Sequence, residues 1–199
     1  MIMSHYEKAW QAVAERIERA VQAAGRAAGS VRLLAVSKTF PAEAVRAVHA
    51  AGQRSFGENQ VQEGAAKRQA TADLPDVVWH LIGPLQGNKT RLAAETFDWV
   101  ESVDRLKIVQ RLSLQRPADR APLDICVQVN VSGEASKSGV APDEAVALAL
   151  AIADLPRIRV RGIMGIPAPT DDPAQQRTQF RRLRECLAHD TVDECADFR

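Results

Sequence analysis

Apolar positions along this chain alternate between two rhythms. Trp10, Val13, Ile17, Val21 and Ala24 recur at helical spacing, and Ser4-x-x-Glu7 ahead of them has the spacing of a capping box. The pattern predicts an amphipathic helix over residues 4–28, ending near Gly29. Leu33, Leu34, Ala35 and Val36 then form a short, nearly continuous apolar run. That is the signature of a parallel strand buried on both faces. Pro41 opens a helix to Ala51 with Val45 and Val48 on one face, and Gly52 is its expected C′ residue.

The alternation continues to the end of the chain. Strands are expected at 54–58, 77–83, 97–102, 123–131 and 159–166, with helices at 59–70, 87–95, 104–115, 142–154 and 174–188. Strands separated by helices pair in parallel through right-handed crossovers. The reading is therefore α/β, a single domain over 1–199 of about six βα units. No G-x-G-x-x-G follows the first strand, and Gly133-Glu-Ala-Ser-Lys137-Ser138 lacks the glycine that a P-loop places before its lysine. A TIM-type (β/α) barrel fits better, although a complete one has eight units and about 250 residues.

Composition narrows the function. The chain has 199 residues, 26 basic and 25 acidic, and 46% hydrophobic content, enough for one sizeable core. No basic block interleaved with aromatics marks a nucleic-acid groove. The first residues lack a signal peptide's apolar region, and no 18-residue apolar stretch could span a membrane, so a cytoplasmic protein is expected. Cys126, Cys186 and Cys195 lack C-x-x-C spacing and read as free thiols rather than disulfides or zinc ligands.

The candidate chemistry collects at strand ends. Lys38 follows the first strand, where it is either a solvated charge or a desolvated amine able to form a Schiff base. Glu58 and Asn59 follow the second strand, and Asn59 could simply cap the next helix. His80 alternates with Val78 and Ile82, which suits a hydrogen-bonded core histidine as well as a functional one. Lys137 reads equally as a solvated loop lysine, and Met164 as ordinary core filling.

Taken together these clusters carry a resemblance. Ala35-Val-Ser-Lys-Thr39, Phe56-Gly-Glu-Asn59 with Gln62-Glu63, Trp79-His80 with Ile82-Gly83, Leu85-Gln86-x-Asn88-Lys89, Ser102-Val-Asp104 and Asn130-x-Ser-x-Glu-x-Ser-Lys-x-Gly139 occur in one order. The chain closely resembles the pyridoxal phosphate homeostasis proteins, the YggS/PROSC group, whose fold is that of the alanine racemase N-terminal domain. The resemblance runs from the first helix to about Thr191. It implies that Lys38 holds pyridoxal 5′-phosphate (PLP) as a Schiff base, with Asn59 and His80 lining the cofactor pocket and Met164 in its wall. It also implies a carrier or buffer in intracellular PLP homeostasis rather than a turnover enzyme, monomeric unless open barrel edges drive association. Free amino acids or PLP-dependent apoenzymes are the further partners it implies. Racemase activity, the less favoured reading, would need a second β-rich domain and a tyrosine base, and the one tyrosine here, Tyr6, lies in the first helix.

The last residues depart from the family. Its seventh strand carries Ser-Met-Gly-Met-Ser-x-Asp and its eighth ends in Arg-x-Gly-x-x-Ile-Phe-Gly, and both clamp the cofactor phosphate. Here the sequence reads Asp190-Thr-Val-Asp-Glu-Cys-Ala-Asp-Phe-Arg199. The alternative expectation is therefore a truncated or cofactor-impaired family member, with the first and sixth strands as open edges.

Overall fold

In a computed structural model of the chain, residues 5–133 and 138–186 are described. Ser4 of the expected capping box, Lys137, Cys195, the end of the last expected helix and the altered 190–199 segment lie outside these residues.

Six strands alternate with helices. They are β1 (Ala35–Val36), β2 (Ser55–Glu58), β3 (Val78–Leu81), β4 (Trp99–Val103), β5 (Leu123–Gln128) and β6 (Ile158–Met164). The helices are α1 (His5–Ala23), α2 (Ala42–Ala50), α3 (Val61–Ala70), α4 (Thr90–Thr96), α5 (Leu106–Gln115), α6 (Ala145–Ala153) and α7 (Pro173–Glu185). All pairings are parallel, and the strands lie in chain order from β1 to β6. Residues of β1 and β6, the two edges of the described sheet, line one shared cavity, so the sheet curls toward closure. This is the expected β/α barrel arrangement, with six units among the described residues.

Alternation along the strands divides the side chains between two faces. Phe56, Trp79, Leu81, Val100, Leu123 and Ile125 are almost wholly buried and face the helices, where they meet Phe97, Leu112 and Ile152. Each large side chain buried in this way stabilises the fold by roughly 1.5–3 kcal/mol. The inner face also carries charged side chains. Arg159 makes a two-pronged bond to Asp124 on the neighbouring strand, at 2.7 and 3.1 Å. The guanidinium of Arg161 lies 5.8 Å from the ring centre of Trp99.

Two expectations are corrected. Helix α1 stops at Ala23 rather than near residue 28. Gly25 takes φ +62° there, and the amides of Gly25 and Arg26 bond back to Gln22 and Val21 at 3.0 Å. This Schellman ending satisfies the terminal carbonyls before Gly29 is reached. Strand β1 is not buried on both faces either: Val36 is 46% exposed, because its inner face borders the open cavity.

Elsewhere the boundaries shift by a few residues. Pro41 and Gly52 flank α2 as expected, Gly52 with φ +113°. Helices α4 and α6 are each entered through a single 3-10 turn, at Gly87–Lys89 and Pro142–Glu144. Helix α7 begins at Pro173 with Asp172 as its N-cap, whose carboxylate accepts the Ala174 amide at 2.8 Å.

Candidate functional site

The loops after the strands enclose a cavity of about 560 Å³. Leu34, Val36 and Lys38 line it from β1 and the turn beyond. Lys38 enters because strand alternation continues one step past Val36: Ser37 turns toward the helices, and Lys38 returns to the inner face. Asn59 follows β2, Ile82 and Gly83 follow β3, Glu101 comes from β4, and Gln128 and Asn130 come from β5 and its extension. Among the described lining residues, Lys38 is the one basic side chain and Glu101 the one acidic side chain.

Met164 reaches the cavity through an irregularity in β6. Val160 pairs with Ile125, but Gly162 pairs with Cys126, so one extra residue enters β6 at this point. Gly162 takes φ +148°. Such a bulge reverses the alternation downstream. Arg159 and Arg161 face inward before it, and Met164 and Ile166 face the cavity after it.

Asn59 is held by close backbone packing. A Cβ on Gly83 would stand 2.1 Å from the Asn59 carbonyl oxygen, so only glycine lets the end of β3 approach this closely. On β5, the side-chain carbonyl of Asn130 accepts from the Gly133 amide and the Ser132 hydroxyl, both at 3.1 Å, and shapes the turn that begins the next loop. The Val140 amide bonds to the Gln128 carbonyl at 2.9 Å.

His80 sits one layer deeper. Its strand partners are Gly57 and Trp99, and Gly57 in turn pairs with Val36, two residues before Lys38. The imidazole stacks on Trp99, with ring centres 5.2 Å apart, and its Nδ1–H donates to Glu101 Oε1 at 2.6 Å. The structure thus brings Lys38, Asn59 and Met164 to one cavity, and His80 reaches it through Glu101. Glu101 and Gln128 line the cavity as well, which the sequence reading does not single out. The available signal was polar side chains at inward positions of otherwise apolar strands.

The thiol of Cys126 is pushed up to about 12, chiefly by burial and further by Glu101 and Asp124. Among the described residues Cys126 and Cys186 are free thiols, and no three His, Cys, Asp or Glu side chains gather as a metal site.

This arrangement defines the class: a parallel β/α barrel with a small-molecule cavity at its strand ends and an amine delivered by the first strand. Residues 10–194 match the family model of the alanine racemase N-terminal domain. A Pseudomonas aeruginosa protein named pyridoxal phosphate homeostasis protein is 62% identical over 175 residues, covering 88% of this chain and 76% of that relative. The chain belongs to the pyridoxal phosphate homeostasis proteins, within the alanine racemase N-terminal-domain family.

Solved structures agree. An uncharacterised protein from Bifidobacterium adolescentis superposes with a TM-score of 0.87 at 33% identity, covering 97% of this chain and 81% of that one. PipY of Synechococcus elongatus, solved with PLP bound, superposes at 0.69 with 34% identity, covering 92% of this chain and 84% of PipY.

Proposed function

We propose that this chain binds PLP in the barrel-mouth cavity through a covalent bond to Lys38 Nζ, and serves in the cytoplasm as a PLP carrier or buffer without turnover. The observation that carries the reading is Lys38 itself, the basic side chain among the described residues of a cavity whose PLP-bound relative has the same fold. PLP supplies an aldehyde that condenses with a primary amine, releasing water, and a phosphate that carries negative charge.

The residues present fit such a group. Leu34, Val36, Ile82 and Met164 line the cavity with apolar surface that would suit a flat ring, and Asn59 and Gln128 add carboxamides to the lining. Lys38 would hold the group, Asn59 and Met164 would stand beside it in the cavity lining, and His80 bonds to Glu101 of the same lining. Tyr6, the one tyrosine, packs edge-on against Phe40 from α1, with ring centres 5.9 Å apart, which favours a binding role over a racemase's proton transfers. PLP-dependent apoenzymes or free amino acids would be the chain's further partners. No helix among the described residues is long and apolar enough to cross a membrane.

The test is to incubate the chain with PLP, reduce with borohydride and map the adduct by mass spectrometry. The expected result is modification at Lys38, absent in Lys38→Ala. Wild-type chain left unmodified at Lys38 would overturn the reading.

A further inference from the structure

We propose that Lys67, with Glu58 and Glu63, forms a positioning device for Lys38, fixing the backbone on both sides of it from behind the first strand. The inference rests on reading the cavity as a carbonyl-ligand site. Lys67 Nζ lies 2.6 Å from the Ser37 carbonyl oxygen, 2.7 Å from Glu58 Oε1 and 2.7 Å from Glu63 Oε1. The Ser37 hydroxyl donates to Glu58 Oε1 at 2.5 Å, and the Thr39 amide donates to Glu63 Oε1 at 2.6 Å. Both neighbours of Lys38 are therefore tied to one cluster around the buried Lys67, which lies on the helix side of β1 while Lys38 faces the cavity.

Backbone strain sits at the same place. Thr39 takes φ +68°, a left-handed conformation unfavourable for a β-branched residue. Such a conformation persists only where its surroundings hold it, and the bond from the Thr39 amide to Glu63 is one such restraint. The amide of Phe40 closes the turn onto the Ser37 carbonyl at 3.0 Å, the same oxygen that Lys67 contacts.

General stabilisation does not explain this cluster. Glu58 is fully buried and the Lys67 side chain is 7% exposed, while Glu58 Oε2 has no hydrogen-bond partner. Burying two charges is costly, and apolar replacements of such pairs are often neutral or stabilising. The distinctive contribution here is a set of directed bonds to residues 37 and 39. An amine that must meet a carbonyl carbon benefits from such restraint, because a misplacement near 1 Å can cost about a hundredfold in rate.

The experiment uses full-length chain carrying Lys67→Met, Lys67→Arg or Glu63→Ala, the last at a partly exposed position that removes the acceptor for the Thr39 amide without emptying the core. Amide hydrogen exchange at Thr39 and Phe40 is measured without ligand, and the rate of PLP attachment at Lys38 is followed by absorbance. The expected results are a tenfold or greater loss of protection at Thr39 in Lys67→Met and Glu63→Ala, a tenfold or greater slowing of attachment, and partial recovery of both in Lys67→Arg. Should Lys67→Met fail to fold, Glu63→Ala alone decides. Unchanged protection at Thr39, or attachment at the wild-type rate in a variant that has lost protection, overturns the positioning role. Wild-type chain that takes no PLP at Lys38 overturns the site reading itself, a result told apart because it is seen before any variant is made.

Discussion

His80 Nδ1 and Glu101 Oε1 stand 2.6 Å apart, joining a histidine enclosed between strands to a carboxylate that borders the cavity. The pair links the interior of the barrel to its mouth. Beneath it, Trp99 stacks on His80 and Arg161 lies over Trp99, so the inner column runs from cation to indole to imidazole to carboxylate. A change at His80 therefore reaches the cavity through the position of Glu101.

Replacing His80 with alanine tests that column. The variant loses a hydrogen bond to a carboxylate, worth roughly 1.5–3 kcal/mol, together with the stack on Trp99. Urea unfolding should show a loss of that size, and weaker PLP retention should accompany it. A variant as stable as the parent would show that Glu101 finds an equivalent partner.

Gly83→Ala should damage the fold and the site together. The added carbon would meet the backbone of Asn59 at 2.1–2.8 Å, which no side-chain rotation relieves. Overpacking of this kind costs typically 1–3 kcal/mol. The expected outcome is a lowered unfolding midpoint and reduced adduct at Lys38, checked by thermal melting and mass spectrometry.

Cys126 should be nearly inert in the folded chain. Its thiol is raised from 9.0 to about 12, which lowers the reactive thiolate fraction about a thousandfold. Maleimide labelling at pH 8, mapped by peptide, should be at least about a hundredfold slower in native protein than in urea. Equal rates would mean that the strand opens readily.

These relationships differ in how far the sequence reveals them. The strand-end placement of Lys38 is readable, because in an alternating α/β chain an apolar run that ends in a charge marks the point where a buried strand emerges into a loop. The inward turn of Met164 is not, since it depends on one extra residue at the β6 bulge that leaves no periodic trace. Val36 reads as buried, yet its exposure depends on what lies beside β1 in space. Both Gly25 and Gly29 take positive φ, and the competition that ends α1 at the first is settled by hydrogen bonds to Val21 and Gln22. Glu63 and Lys67 have the spacing of an ordinary surface pair on a helix. Only the packing of α3 over Glu58 makes Lys67 a buried hub.

That hub has an acid signature. The hydrogen bond from Lys67, followed by that from the Thr39 amide, holds the Glu63 carboxyl below its ordinary value of 4.5, against the opposing effect of burial. The unfolded chain therefore binds a proton at this position more readily than the folded one. The stabilisation is fully present above about pH 4.5 and is lost as pH falls through the lower folded-state value. Glu63→Ala removes the titrating group, so its stability should fall less steeply than the parent's between about pH 5 and 3. Urea midpoints across that range, compared between parent and variant, check the slope; parallel curves would mean that Glu63 titrates alike in both states.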